Sequence, residues 1–212
     1  MARILIIGAS NGIGLETVKA ALAEGHTVRA FARSASKIAI DDPHLEKTSG
    51  DARDATAIAK ALDGVDAVVL SLGVALNPET ILLGTRLFSD ATRTLVDAMT
   101  AAGPRRLIVV TGIGAGSSRA CLGPLYATAF QFSLKRIYDD KDVQEMIVTR
   151  SALDWTIVRP GILTNERSTV CRALLDPKDW KPGPVARAAV ARYIVDHLAG
   201  PATVRQTPLL IA

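Results

Sequence analysis

At 212 residues, 49% hydrophobic and 22% charged, the chain has the length of one ordinary domain and a globular composition, which excludes disordered and fibrous classes. Its formal charge of +4 comes from scattered Lys and Arg, densest in pairs such as Arg105-Arg106; this predicts no nucleic-acid face, and a mild positive field that suits phosphorylated small molecules. Cys121 and Cys171 form no CxxC pair and His26, His44 and His197 lack ligand spacing, which argues against a disulfide framework and against a metal site.

The first half alternates short β-rich runs with helical patterns, as βαβ units around a parallel sheet do. Ile4 to Ile7 is the first run, followed by Thr27 to Phe31, a weaker Leu45 to Ser49, Ala67 to Leu70 and Leu107 to Val110. Helices are expected between them. Leu15, Val18 and Leu22 share a face of one; Ile58, Ala61 and Leu62 share a face of another; Phe88, Thr92, Leu95, Val96 and Met99 line a third. Residues 111–119 (TGIGAGSSR) read as a glycine-rich loop at the end of the fifth run. The stretch DDKDVQEMIVTRS is expected to start a helix on its acidic residues and to bury Val143, Met146 and Ile147. WTIVRP reads as a sixth strand, residues 161–183 as irregular, Pro184 to about Leu198 as a helix and Leu209 to Ile211 as an edge strand. Right-handed crossovers would set helices on both faces of the sheet.

IIGASNGIGLETV puts Gly8, Gly12 and Gly14 directly after the first strand and at the start of an amphipathic helix. That context fits a dinucleotide-binding turn. Gly8 permits the turn, Gly12 lets phosphate oxygens approach the backbone, and Gly14 lets the helix pack on the sheet; Ser10, Asn11 and Ile13 complete the loop. At the end of the second strand, VRAFARSASK has no acidic residue to hold ribose hydroxyls and has Arg33, suited to a 2′-phosphate, with Ser34 and Lys37 nearby. NADP(H) is therefore preferred, with NAD(H) possible. The fold expected is α/β: a Rossmann-like, doubly wound parallel sheet in three αβα layers. It forms a single domain over residues 1–212 with a small C-terminal extension, in which residues 162–183 make an irregular substrate-side lid.

The spacing Gly8-x-x-x-Gly12-x-Gly14, together with Gly50-Asp51-Ala52-Arg53-Asp54, Ser71-Leu72-Gly73 and DWTIVRPGILT, resembles the atypical short-chain dehydrogenase/reductases. More narrowly it is similar to their NAD(P)H-binding branch, the NmrA-like and biliverdin reductase B/flavin reductase-like proteins. The resemblance implies that Asp51 and Ala52 cover the adenine and that Ser71, Leu72 and Gly73 pass beside the ribose and pyrophosphate. It also implies that Thr111 lies near the nicotinamide, that Lys141 reaches the nicotinamide ribose, and that Arg159, Pro160, Gly161 and Ile162 wrap the carboxamide. Thr111 and Lys141 are the candidate catalytic residues.

The family's Tyr-x-x-x-Lys dyad is missing: Tyr126, Tyr138 and Tyr193 are followed at that spacing by Phe130, Asp142 and His197. At the positions where the biliverdin reductase B pattern has a serine and a histidine stand Gly112 and Gly161. Proton donation is thus not built in by these positions, whereas a flavin, quinone or similar planar acceptor needs mainly to stack on the nicotinamide. The reading is an NAD(P)H-dependent oxidoreductase for such an acceptor, with Tyr126 and Trp180 as candidate substrate contacts. An alternative is a non-catalytic NAD(P)H-binding redox sensor like NmrA; a sugar-nucleotide epimerase or dehydratase would need the missing dyad. No signal peptide or membrane span is expected, so the protein should be cytoplasmic, a monomer or homodimer, with a small-molecule acceptor as its partner.

Overall fold

The computed structural model describes residues 1–123 and 134–212. In chain order these residues form β1 (Arg3–Ile7), α1 (Gly12–Ala23), β2 (Thr27–Ala32), β3 (Leu45–Ser49), α2 (Ala55–Ala61), β4 (Ala67–Leu70), α3 (Pro78–Leu83) and α4 (Leu87–Ala102). There follow β5 (Arg106–Val110), α5 (Lys135–Arg150), β6 (Asp154–Pro160), β7 (Ile162–Thr164), β8 (Arg172–Leu174), β9 (Pro184–Ala186), α6 (Arg187–Asp196) and β10 (Leu209–Ile211). The main sheet runs β3-β2-β1-β4-β5-β6-β10-β8. Its first seven strands are mutually parallel and β8 is antiparallel to β10. The order reverses between β1 and β4, and in such sheets the crevice outside the strand carboxyl ends at that reversal binds ligands.

Side chains on successive strand residues point to opposite faces, and where both faces are covered, as in β1, β4 and β5, the strands read as nearly unbroken apolar runs, whereas edge strand β3 (LEKTS) does not. Ile4 and Ile6 of β1 join Val28, Val69 and Ile108 in a core shared with α1 and α6. Leu5 and Ile7 join Phe31, Val68, Leu70 and Val109 in the other, shared with α2, α4 and α5. The third helical pattern is matched in full: Phe88, Thr92, Leu95, Val96 and Met99 of α4 are all buried.

Four expectations change. Leu209 to Ile211 is not an edge strand, because β10 lies between β6 and β8; all three residues are buried, which a two-sided interior position requires. The helix expected from Pro184 begins at Arg187, because Pro184, Val185 and Ala186 pair in parallel with Ile162, Leu163 and Thr164. Proline tolerates the first position of a strand, where its missing N–H removes no ladder bond. Residues 162–183 are correspondingly less irregular than expected, since they supply β7 and β8.

The fourth change bears on function. Helix α5 starts at Lys135, one turn before the acidic residues, and the face it buries is Ile137, Asp140, Lys141, Gln144, Glu145 and Val148. Met146 is exposed and Val143 and Ile147 are half-buried. The inward face is polar because Asp140, Gln144 and Glu145 each serve a neighbour. Asp140 accepts from the Phe88 and Ser89 amides at 2.9 and 3.3 Å, occupying free N–H groups at the start of α4. Gln144 donates to Thr92 Oγ1 at 3.0 Å.

Candidate functional site

A cleft of about 710 Å³ crosses the carboxyl ends of the parallel strands, within the size range of small-molecule and cofactor sites. Gly8, Ser10, Asn11, Gly12, Ile13, Arg33, Asp51, Ala52, Ser71, Leu72, Gly73, Thr111, Lys141, Pro160 and Gly161 all line it. Residues from seven separate segments of the sequence thus converge on one space.

At the centre lies the β1–α1 loop. A Cβ on Gly8 would run into the Ser71 carbonyl, and one on Gly14 into the Gly8 carbonyl. Those two glycines therefore answer to the protein's own packing, and Gly14 sits behind the cleft wall rather than in it. Gly12 differs: with φ +57°, it faces open space, and a Cβ there would meet only Arg187 Nε at 4.0 Å. Nothing in the protein needs that space, and a phosphate approaching the backbone does. Asn11, the N-cap of α1, makes no side-chain cap bond, and no acidic residue lies in the first helical turn. The positive end of the helix is left for an incoming anion.

Toward β2 and β3 the cleft is bordered by Arg33, Ser34, Gly50, Asp51 and Ala52. Arg33 is exposed and makes no hydrogen bond or ion pair with the described residues. Asp51 is engaged by Arg53, whose guanidinium donates to both carboxylate oxygens at 3.1 and 2.7 Å. That side-chain hydrogen bonding lowers the Asp51 pKa to about 2, with Arg33 adding a smaller electrostatic pull.

Toward β5 and β6 the walls are Val110, Thr111, Gly112, Ile137, Tyr138, Lys141, Pro160, Gly161 and Leu163. Thr111 is buried; its hydroxyl donates to Glu145 Oε1 at 2.8 Å, leaving it no proton for a ligand. Glu145 is held in turn by Arg159, with Nε at 3.0 Å and Nη2 at 2.6 Å, and the Arg159 guanidinium stacks 5.0 Å from the Trp180 ring. Both members of the ion pair are buried. Lys141 is buried too, its Nζ 4.0 Å from the Phe88 ring centroid, and no carboxylate or carbonyl among the described residues accepts a hydrogen bond from it. Desolvation lowers its pKa to about 8, against the pull of Glu145 and Asp140.

Tyr138 is a site residue that the sequence reading passed over. It precedes Lys141 by three positions rather than four, which on a helix still puts both on one side. Its hydroxyl lies 2.7 Å from where a Cβ on Gly112 would stand, so the glycine leaves room for the phenol. Burial raises the Tyr138 pKa, keeping the phenol protonated. Gly161 is empty for another reason: a Cβ there would collide with the Gly183 carbonyl. Arg187, also missed, enters from the start of α6.

Of the expected contacts among the described residues, Arg159, Ile162 and Trp180 do not join the cleft walls. Ile162 is 45% exposed on β7. Trp180 is buried beside Leu209 and Ile211, and its indole N–H donates to the Leu174 carbonyl at 3.0 Å, so it supports Arg159 from behind. Tyr126 lies outside the described residues. Among the described residues no cluster of His, Cys, Asp or Glu could hold a metal ion, and no helix is long and apolar enough to cross a membrane.

Comparison with known proteins adds to this geometry. Residues 8–201 match the model of the family described as NAD(P)H-binding. The chain is similar to ChuY, an anaerobillin reductase from Escherichia coli O157:H7, with 30% identity, a TM-score of 0.78 and coverage of 99% of this chain and 96% of that one. It is 32% identical over 210 residues to sterol demethylase protein B of Methylococcus capsulatus, covering 92% of this chain and spanning only 57% of that protein. A short-chain dehydrogenase/reductase from Veillonella parvula, solved in complex with NADP, shares the fold at a TM-score of 0.81 and 17% identity, covering 100% of this chain and 94% of that one.

Proposed function

Given that this chain belongs to the NAD(P)H-binding family, of atypical short-chain dehydrogenase/reductase type, we propose that it is a reductase that uses NADP(H) in preference to NAD(H) and passes hydride to a flavin, quinone or similar planar acceptor. The observation that carries the reading is the pair of vacancies in one cleft: the open face of Gly12 beside the start of α1 at its centre, and the buried Lys141 ammonium, with no acceptor of its own, toward β5 and β6. A buried ammonium without acceptors is costly, and a ligand that brings hydroxyl and phosphate oxygens relieves it.

In this reading the glycine loop holds the pyrophosphate, Asp51 and Ala52 flank the adenine, and Ser71, Leu72 and Gly73 run beside the ribose. Arg33 meets the 2′-phosphate, unhindered by any ion pair. Lys141 donates to the nicotinamide ribose hydroxyls. Pro160, Gly161 and the neighbouring Ile162 border the carboxamide, and Thr111, fixed by Glu145, turns an Oγ1 lone pair toward it. Bound NADPH supplies the hydride. Tyr138 is placed to give its phenolic proton to an acceptor atom that gains negative charge, and Lys141 beside it favours the phenolate left behind.

Of residues 162–183, Leu163 contributes to the wall at the reactive end, and Trp180 backs Arg159 behind it. The two free cysteines fit a reducing cytoplasm. The likeness to an anaerobillin reductase supports turnover over a sensing role, and Tyr138 beside Gly112 removes part of the reason for a sensor, since a proton donor is present after all.

Fluorescence titration with NADPH tests the cofactor site. Gly12→Val should weaken binding by more than about 100-fold because its side chain fills the phosphate approach; at φ +57° a β-branched residue is also strained, so melting should shift down but remain cooperative. Unchanged affinity in that variant would mean that the cofactor sits elsewhere.

A further inference from the structure

Arg187 is the first residue of α6, the helix that packs alongside α1. Its side chain reaches back over the glycine loop, with Nε 4.0 Å from a Cβ built on Gly12. One terminal nitrogen donates to the Thr164 carbonyl at 3.1 Å and to Asn165 Oδ1 at 2.7 Å. Both partners are neutral, and among the described residues no carboxylate pairs with the guanidinium. Across the gap stand the first-turn amides of α1, whose N-cap side chain and first turn supply no negative charge either. Two positive groups therefore face one solvent-filled space with nothing anionic between them. Like charges so placed repel unless an anion joins them.

Resting on the cofactor reading above, we propose that Arg187 binds the dinucleotide pyrophosphate from the side opposite the glycine loop, and through Thr164 and Asn165 couples the β7 end to occupancy of the cleft. The geometry gives the two arginines of the site separate tasks. Arg33 stands beyond β2, at the 2′-phosphate end; Arg187 stands over Gly12 and serves the two phosphates that NADPH and NADH share. Its planar head can keep the Thr164 and Asn165 bonds with one nitrogen and turn the others to phosphate oxygens, as a guanidinium with five donors can.

The test is a set of titrations with NADPH, NADH and 2′-AMP, a probe that carries the 2′-phosphate without a pyrophosphate, on wild type, Arg187→Gln, Arg187→Lys, Asn165→Ala and Arg33→Ala, each shown by thermal melting to be folded. Arg187→Gln should weaken NADPH and NADH alike, by about tenfold or more, and leave 2′-AMP unchanged. Arg187→Lys should recover part of the loss, and Asn165→Ala should lose less, on the same two ligands. Arg33→Ala should show the opposite pattern, weakening NADPH and 2′-AMP and sparing NADH. Should Arg187→Gln not fold, the Lys and Asn165 variants decide the matter. NADPH and NADH affinities unchanged from wild type in the Arg187 and Asn165 variants would overturn the proposal while leaving the cofactor reading intact. So would an equal loss of 2′-AMP binding, which marks general damage to the cleft. Failure of the wild type to bind either dinucleotide would remove the cofactor reading itself.

Discussion

Tyr138, Lys141 and Glu145 lie on one side of one helix, and each meets a different set of neighbours. Tyr138 is kept protonated by burial, with its hydroxyl in the space Gly112 leaves. Tyr138→Phe should therefore lower kcat by about tenfold or more with an acceptor that must gain a proton, and leave the NADPH affinity within twofold. Steady-state kinetics beside a binding titration separates the two; a matching loss of affinity would assign the phenol to cofactor binding instead. Lys141 has its pKa depressed from 10.5 to about 8 by burial. Between those values the unfolded chain holds a proton that the folded chain has lost, so stability rises with pH across the window. At neutral pH the buried charge costs about 3 kcal/mol, a cost that disappears above pH 10.5. Lys141→Met should flatten this: wild type should gain on the variant as pH rises from 8 to 10.5 in parallel chemical denaturations. A constant difference between them would show that the ammonium is not desolvated.

Helix α5 shows where pattern reading ends. The apolar periodicity of the strands, α2 and α4 reports real burial because their partners are apolar, as Ile58, Leu95 and Val109 show. On α5 the same rule selected Val143, Met146 and Ile147, although the helix turns Asp140, Lys141, Gln144 and Glu145 inward. Nothing in the spacing of apolar residues discloses that Asp140 is needed at the start of α4 or Glu145 under Thr111. The glycine loop was legible because its chemistry is local in sequence. Arg187 was not, because only the pairing of β7 with β9 brings α6 back over Gly12. Tyr138 was missed because a fixed four-residue motif was sought where a three-residue step places the same groups side by side. At this scale the buried Glu145–Arg159 pair gives a stability prediction. Glu145→Ala strands Arg159 and should cost about 3–5 kcal/mol in urea denaturation, whereas an apolar replacement of both partners should cost much less. A single-variant loss under 1 kcal/mol would mean that water reaches the arginine.

In the molecule as a whole, the order β3-β2-β1-β4-β5-β6 draws the carboxyl ends of six parallel strands into one cleft, with Arg33 toward one end and Tyr138 toward the other. The fold class and the strand sequence follow from alternating β and α patterns, which depend on neighbouring residues; the glycine loop and Arg33 follow from local motifs, and the other expected cleft residues came from the family resemblance. The additions at the C-terminal side, where β8 runs antiparallel at the edge and β9 pairs away from the main sheet, depend on contacts between distant segments and left no comparable signal. Of that side only Leu163 and Arg187 reach the cleft, so the acceptor is the part of the function least written in local sequence. The most direct test of the account is NADPH oxidation followed with riboflavin, FMN and a small quinone, on protein first shown to bind the cofactor. The account predicts sustained turnover with at least one of these acceptors, falling in Tyr138→Phe. Tight NADPH binding with no oxidation by any of the three would contradict it, and would leave the cleft as the sensing site of a protein that performs no reduction.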